Sequence, residues 1–370
     1  MTSPVLRLGA LPPLRVSPGT LVTVLLFAVL MYPSLARGGA GPLTVALLSV
    51  GIGLFMIVSV LVHEVAHALV ARSFGATVDH IALTLWGGHT QYRTREMSAL
   101  GSILVSLSGP AANLVLAGLS LAGVQLTESG SAAAVFLSVS SWLNLVLAVF
   151  NLLPGLPMDG GRALEALLGV VLRSPERGTR VTAWLGRGIA VAVVALPLWR
   201  IVRDGGAGTF SLLTLVWALL IGGMLWQGAS RALEGAALTA RIRTLDAASL
   251  AVPRRIVPPS APLAALEGSS LEDVLVLDPA AAHGRVLGRA LLIDPKAAAA
   301  VPAGGRAGTA VGAVARALGD LVALPATLRG DDLVEAMLAD PAPAYLVLGP
   351  DGTARGVIMS AQVNTLLRGR

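Results

Sequence analysis

The chain has 370 residues, 55% hydrophobic and only 13% charged, with a mean hydropathy of +0.77. A soluble globular domain carries about 25% charged residues, so an ordinary soluble enzyme and a disordered regulator are both excluded. The formal charge of +6 comes almost wholly from arginine, Lys296 being the one lysine, and the chain has no cysteine. Arginines flanking membrane spans explain that charge, with no nucleic acid partner required, and any metal must be held by His, Asp or Glu.

Taken in order, residues 1–19 form an N-terminal segment with Arg7 and Arg15 and no small-residue cleavage site, expected to be retained. Six apolar runs of about the 20 residues needed to cross a bilayer follow. They run from about Thr20 to Ala36, Leu43 to Arg72, Met97 to Leu126, Ala132 to Leu153, Val181 to Val202 and Phe210 to Gln227. Residues 20–227 are thus read as a membrane domain in contact with lipid. Arg7, Arg15, Arg72, Arg93, Arg95, Arg162, Arg173, Arg177, Arg180 and Arg231 fall on one side, against Arg37, Arg200 and Arg203 on the other. The positive-inside rule then places both termini in the cytoplasm. The Arg, Ala and Gly bias suits a GC-rich bacterial genome.

Residues 228–245 read as a helical connector, and residues 246–370 as a small cytoplasmic α/β domain, richer in acids and Pro and without a further long apolar run. That domain contains two similar units. Val274–Asp278 and Gly284–Gly288 form the first, and Tyr345–Leu348 and Asp351–Ile358 the second. Each is a strand, a tight Asp/Gly turn and a second strand, preceded by a helix such as Asp331–Leu338.

The chemistry centres on His63-Glu64-Val65-Ala66-His67 in the second run. On a helix, residues i and i+4 share a face, so both imidazoles reach one metal while Glu64 lies beside it. Ionisable groups within a membrane helix are costly and need a partner, which a metal supplies. The competing role for the histidines is polar glue between helices. A third ligand is needed, and Asp159 is the candidate. It follows Pro154, Gly155 and Pro157, which break the fourth run, and precedes Gly160-Gly161, which allow close approach. Its competing role is an N-cap of the next helix.

Together with Asn151, Pro154, Pro157 and Asp159-Gly160-Gly161, the His63–His67 motif resembles the site-2 protease family of intramembrane zinc metalloproteases. Gly109-Pro110-Ala111-Ala112-Asn113 and Trp86-Gly87-Gly88 match further family signatures, and the resemblance covers most of residues 15–230. The C-terminal units resemble a tandem CBS pair. The resemblance implies one Zn2+ held by His63, His67 and Asp159, with Glu64 activating the zinc-bound water and Asn151 donating to substrate or oxyanion. A helix-packing amide is the competing role for Asn151. The implied reaction is hydrolysis of peptide bonds in a single-span transmembrane protein, an anti-sigma factor for example. Ile81–Gln91 would offer a strand edge to that substrate. His80 and His89 read as interfacial polar residues. Ser106 and Ser108 read as packing serines, with no base accompanying them in the motif.

In CBS pairs, adenine nucleotides commonly meet a Thr or Ser three residues after a Gly and an Asp six after it. Here Gly288 is followed by Leu291 and Asp294, and Gly356 by Met359 and Gln362. One of four polar positions is filled, so nucleotide binding is weakly supported and a structural role or homodimer contact stands beside it. The alternatives to the protease are a CBS-regulated channel or transporter, and a catalytically silent membrane scaffold.

Overall fold

The computed structural model describes residues 5–6, 12–84, 87–93, 97–204 and 209–369. Arg7, Trp86 and Arg95, singled out above, lie outside the described residues. The chain divides into two compact units, Met1–Ala236 and Ala237–Arg370.

The first unit comprises β1 (Val5–Leu6), β2 (Leu14–Val16), α1 (Gly19–Ala36), α2 (Pro42–Ser73), β3 (Thr77–Thr84), β4 (Gly87–Arg93), α3 (Ala99–Val124), α4 (Ala132–Asn151), α5 (Asp159–Val171), α6 (Pro175–Arg203) and most of α7 (Thr209–Arg243). Of these helices α1, α2, α3, α4, α6 and α7 are long and apolar enough to cross a membrane, in agreement with the polytopic α-helical reading. Their starts follow local chemistry. Gly41-Pro42 opens α2, while the hydroxyls of Ser98, Ser131 and Ser174 accept from Gly101 N, Ala134 N and Arg177 N. α7 runs unbroken to Arg243. The connector expected at 228–245 is therefore the end of the sixth long helix. Its lone glycines weaken but do not stop a helix otherwise rich in Ala, Leu and Arg.

A four-stranded sheet, ordered β1-β2-β3-β4, packs beside α2. β2 pairs parallel with β3, placing Leu14 opposite Ile81, and β3 pairs antiparallel with β4. Leu14, Val78, Ile81 and Leu83 bury against Ala68 of α2, while among the described residues β4 ends the sheet and no strand pairs with its outer edge. A strand at Leu14–Val16 was not expected from the sequence.

Helix α4 stops at Asn151 and α5 restarts at Asp159. Pro154 and Pro157 cannot donate to a helix, and the intervening turn is held to α6 by Leu156 N donating to Thr182 O at 3.2 Å. Gly160 and Gly161 are required because a Cβ at either would collide with the backbone of Leu152 or Gly155. The close approach these two glycines permit is to the turn's own backbone, and folding α5 onto the turn is what aims Asp159 inward.

The second unit contains the end of α7, then α8 (Ala247–Leu250), β5 (Arg255–Val257), β6 (Val274–Asp278), β7 (Val286–Ile293), α9 (Pro295–Ala300), β8 (Ala315–Pro325), α10 (Gly330–Ala339), β9 (Ala344–Leu348), β10 (Ala354–Met359) and α11 (Ser360–Arg368). One six-stranded sheet is ordered β10-β9-β8-β7-β6-β5. β5 is parallel to β6 and β6 antiparallel to β7, with α9 after it; β8, β9, β10 and α11 repeat that pattern. This is the tandem unit read from the sequence. Alternate residues serve opposite faces. Val274 and Val276 join the cluster around Leu263, Tyr345 and Val347 join that around Leu333, and Leu275 and Leu346 share a third cluster with Leu321. The helix expected before the first strand pair is replaced by two short 3-10 turns, Leu263–Leu266 and Leu271–Asp273. Pro262 opens the first, and Gly268, at φ +83°, separates the two. Asp294 is the N-cap of α9, accepting from Lys296 N and Ala297 N. Leu291 lies in β7, Met359 ends β10 at the cap of α11, and Gln362 lies in the first turn of α11.

Candidate metal centre

His63, Glu64 and His67 lie on one buried stretch of α2, each no more than 7% exposed. Asp159 reaches them from the first turn of α5. Met158 takes the cap position, and the Asp159 carboxylate turns to the imidazoles: Oδ2 lies 3.1 Å from His63 Nε2 and 3.3 Å from His67 Nε2. The two Nε2 atoms are 3.0 Å apart.

The far side of each ring fixes what these nitrogens can do. His67 Nδ1 lies 2.6 Å from Val105 O of α3, and a carbonyl only accepts, so Nδ1 carries the proton. His63 Nδ1 lies 2.5 Å from Asn113 Oδ1, while Asn113 Nδ2 donates to Asn144 Oδ1 at 2.9 Å. That network assigns the proton to His63 Nδ1 as well. Both Nε2 atoms therefore present lone pairs to each other and to a carboxylate oxygen. Three acceptors gathered in a buried site repel one another unless a cation lies between them. Their separations also match the about 3.3 Å edge of a tetrahedron built on bonds of about 2.0–2.1 Å. His63, His67 and Asp159 thus fit a divalent metal. Two imidazoles donating through Nδ1 and presenting Nε2 are the usual arrangement of metal-bound histidines.

Helix α3 lies against both imidazoles. A Cβ at Gly109 would strike Nε2 of both histidines, so only glycine lets α3 lie across the rings. Ser108 Oγ comes within 3.3 Å of His67 Nδ1, a neighbour 41 residues away that lies outside its own motif. It is still no nucleophile. That nitrogen is spent on Val105 O, and Ser108 Oγ itself donates to the same carbonyl at 2.7 Å.

Glu64 is held by the strand pair. Thr90 of β4 donates to Glu64 Oε2 at 2.7 Å, and lies 3.0 Å from the Glu64 carbonyl. A Cβ on Gly88 would fall 2.6 Å from Glu64 Cγ, so the strand approaches this carboxylate because residue 88 has no side chain. A cavity of about 220 Å³ joins His63, Glu64, His67 and Asp159 to Thr90, His89, Tyr92, Ser106, Asn151 and Arg162. Asn151, at the end of α4, lines this cavity but donates to its own helix, Nδ2 to Leu147 O at 3.0 Å. His89 also faces the cavity. His80 lies behind it on β3, its pKa pushed below the usual imidazole value by partial burial, then by Arg15 and His89. Thr90, Asn113, Asn144 and Arg162 were not singled out as site residues in the sequence. For Asn113 the family signature was a signal; for the others nothing in the local pattern is.

Known proteins bear on this site. The model of peptidase family M50 matches residues 52–132 and 124–195. Rip3 of Mycobacterium tuberculosis is 34% identical over 201 residues, covering 52% of this chain and 48% of that protein. YwhC of Bacillus subtilis is 32% identical over 146 residues, covering 30% of this chain and 67% of that protein. Both are named provisionally as zinc metalloproteases. This chain spans about half to two thirds of the length of the curated relatives it matches first. Among solved structures, the site-2 protease of Methanocaldococcus jannaschii aligns at a TM-score of 0.43 and 23% identity, over 62% of this chain and 95% of that one. The CBS domain of a bacterial CNNM/CorC family Mg2+ transporter aligns at a TM-score of 0.27 and 15% identity, over 41% and 94%.

Proposed function

Because the chain belongs to peptidase family M50 and is a multi-pass membrane protein, we propose that it is a zinc-dependent endopeptidase cutting transmembrane protein substrates within the bilayer. The observation that carries this is the meeting of His63 Nε2, His67 Nε2 and Asp159 Oδ2, all as acceptors, in the cavity that also holds Glu64. Zinc bound by these three supplies a Lewis acid that eases deprotonation of water near neutral pH.

The chain's own groups supply the rest. Glu64 takes the proton of the attacking water and passes it to the amine nitrogen as the peptide bond breaks. Thr90 donates to Oε2 and so fixes the orientation of the Glu64 carboxylate. Asn151 lines the same cavity, and with Nδ2 turned from Leu147 O it would donate to the developing oxyanion. The unpaired outer edge of β4 offers main-chain partners to a substrate strand unwound from its helix. Single-span proteins, anti-sigma factors among them, are the proposed substrates, with both termini of this chain cytoplasmic. The second unit is proposed to be a CBS pair that pairs with a second copy. Asp294, the polar residue left at the nucleotide positions, already caps α9, which favours this role over nucleotide binding.

The test is cleavage of a generic single-span substrate by the detergent-purified chain, beside its Glu64→Gln variant, with zinc analysis of both. Zinc in both with cleavage only by the wild type is the expected result. Purification without chelator that yields no stoichiometric metal overturns the reading.

A further inference from the structure

The two histidines fix their proton by different means. His67 uses a backbone carbonyl, Val105 O, which can only accept. His63 uses a side-chain amide, and an amide can face a ring with either its oxygen or its NH2 group. Turned the wrong way, Asn113 would donate to Nδ1 and force the proton onto Nε2, where a metal must bind. Something has to set its direction.

We propose that Asn144 is a positioning residue for the metal ligand His63, holding Asn113 so that its oxygen faces the imidazole. This rests on the metal centre proposed above. Asn144 Nδ2 donates to Ser140 O at 2.9 Å and to Ser59 Oγ at 3.0 Å. The Ser140 carbonyl can only accept, so this end of the Asn144 amide is its NH2 group. Oδ1 is then left to accept from Asn113 Nδ2 at 2.9 Å, and Asn113 Oδ1 is left to accept from His63 Nδ1. Ser59, one turn ahead of His63 on the same helix, in turn donates through Oγ to Phe55 O. The circuit runs from α2 through α4 and α3 back to α2, and its members Ser59, Asn113 and Asn144 are fully buried. No water or lipid can supply a substitute donor there, so each orientation is dictated by the next.

The test is zinc affinity of the detergent-purified full chain, measured by competition with a chromophoric chelator, beside the melting temperature of the metal-free protein. Asn144→Leu is expected to weaken zinc binding about 10-fold, at the lower end of what losing an outer-shell partner costs. Asn144→Asp, as a neutral acid, still accepts from Asn113 and donates to the Ser140 carbonyl, and is expected to bind zinc close to wild type. Ser141→Ala removes a different α4-to-α3 hydrogen bond, to Ala117 O, and is expected to leave zinc affinity alone. If Asn144→Leu does not fold, the smaller Asn144→Ala replaces it, with a loss in the same direction. Zinc bound equally by wild type and whichever of Asn144→Leu and Asn144→Ala folds overturns the proposal and leaves the metal centre standing. Equal losses in Asn144→Leu and Asn144→Asp also overturn it, leaving a mere helix tie. A wild type that binds no zinc removes both readings.

Discussion

The two units place their polar groups in opposite ways. Among the described residues, every buried polar or charged side chain, from Thr20 to Thr182, belongs to the first unit. In the second the buried side chains are apolar, except for the hydroxyl of Tyr345, whose one proton is shared between Met337 O and Asp340 O and which accepts from Ala342 N. The exposed surfaces are inverted to match. Large apolar side chains cover the first unit, while the second exposes only Leu238, Val252, Leu338 and Leu366 among its described large hydrophobics. Lipid offers no hydrophobic reward for helix association, so the first unit joins helices with hydrogen bonds and close glycine contacts. The second excludes water from a sheet. Interior polarity in the first unit is thus both its adhesive and its chemistry.

That contrast can be broken in several places. Glu64→Gln should lower cleavage by about 10²–10⁴-fold with zinc content retained, since it removes a proton carrier and no ligand; loss of zinc in this variant would show that Glu64 is a ligand instead. Leu333→Ala empties a fully buried site in the second unit and should cost about 2–5 kcal/mol, read as faster hydrogen exchange of α10 and β9 amides. Thr90→Val removes a donor to a carboxylate, worth about 1.5–3 kcal/mol, and should lower kcat/KM about 10- to 100-fold at unchanged zinc affinity. Ser141→Ala, inside the membrane unit, should cost only about 0.6 kcal/mol in a thermal melt. Leu25→Ala sharpens the comparison most directly. Leu25 is 62% exposed on α1 with lipid as its solvent, so melting should not move, although the side chain lost equals that of Leu333.

What the sequence revealed followed from periodicity and breakage. Six apolar runs, a His pair at i and i+4, and an acid just after Pro154 and Pro157 are local patterns, and local patterns can be read along the chain. The partners were hidden because they lie far apart in sequence. Thr90 is 26 residues from Glu64, Asn113 is 50 from His63, and Asn144 is 85 from Ser59. An asparagine in an apolar run gives no sign of which way its amide must face. The merging of span and connector into α7 was missed because a change in composition was taken for a change in structure. The 3-10 turns before β6 were missed because the repeat was assumed to be symmetrical.

The separation between His63 and Asp159, 96 residues, also sets an order of events during synthesis. When α2 enters the bilayer, the ribosome has not yet made Asn144 or Asp159. The nascent helix must carry two imidazoles and a glutamate across without these partners, relying on its 32-residue length and on an 18-residue stretch within it of mean hydropathy 2.7. Only after α4 has inserted and the turn at 152–158 has brought α5 back can a metal be retained. At the centre proposed above, metal loading would therefore be a late step of biogenesis, and a ribosome-stalled chain ending before residue 159 is expected to carry both histidines and hold no zinc.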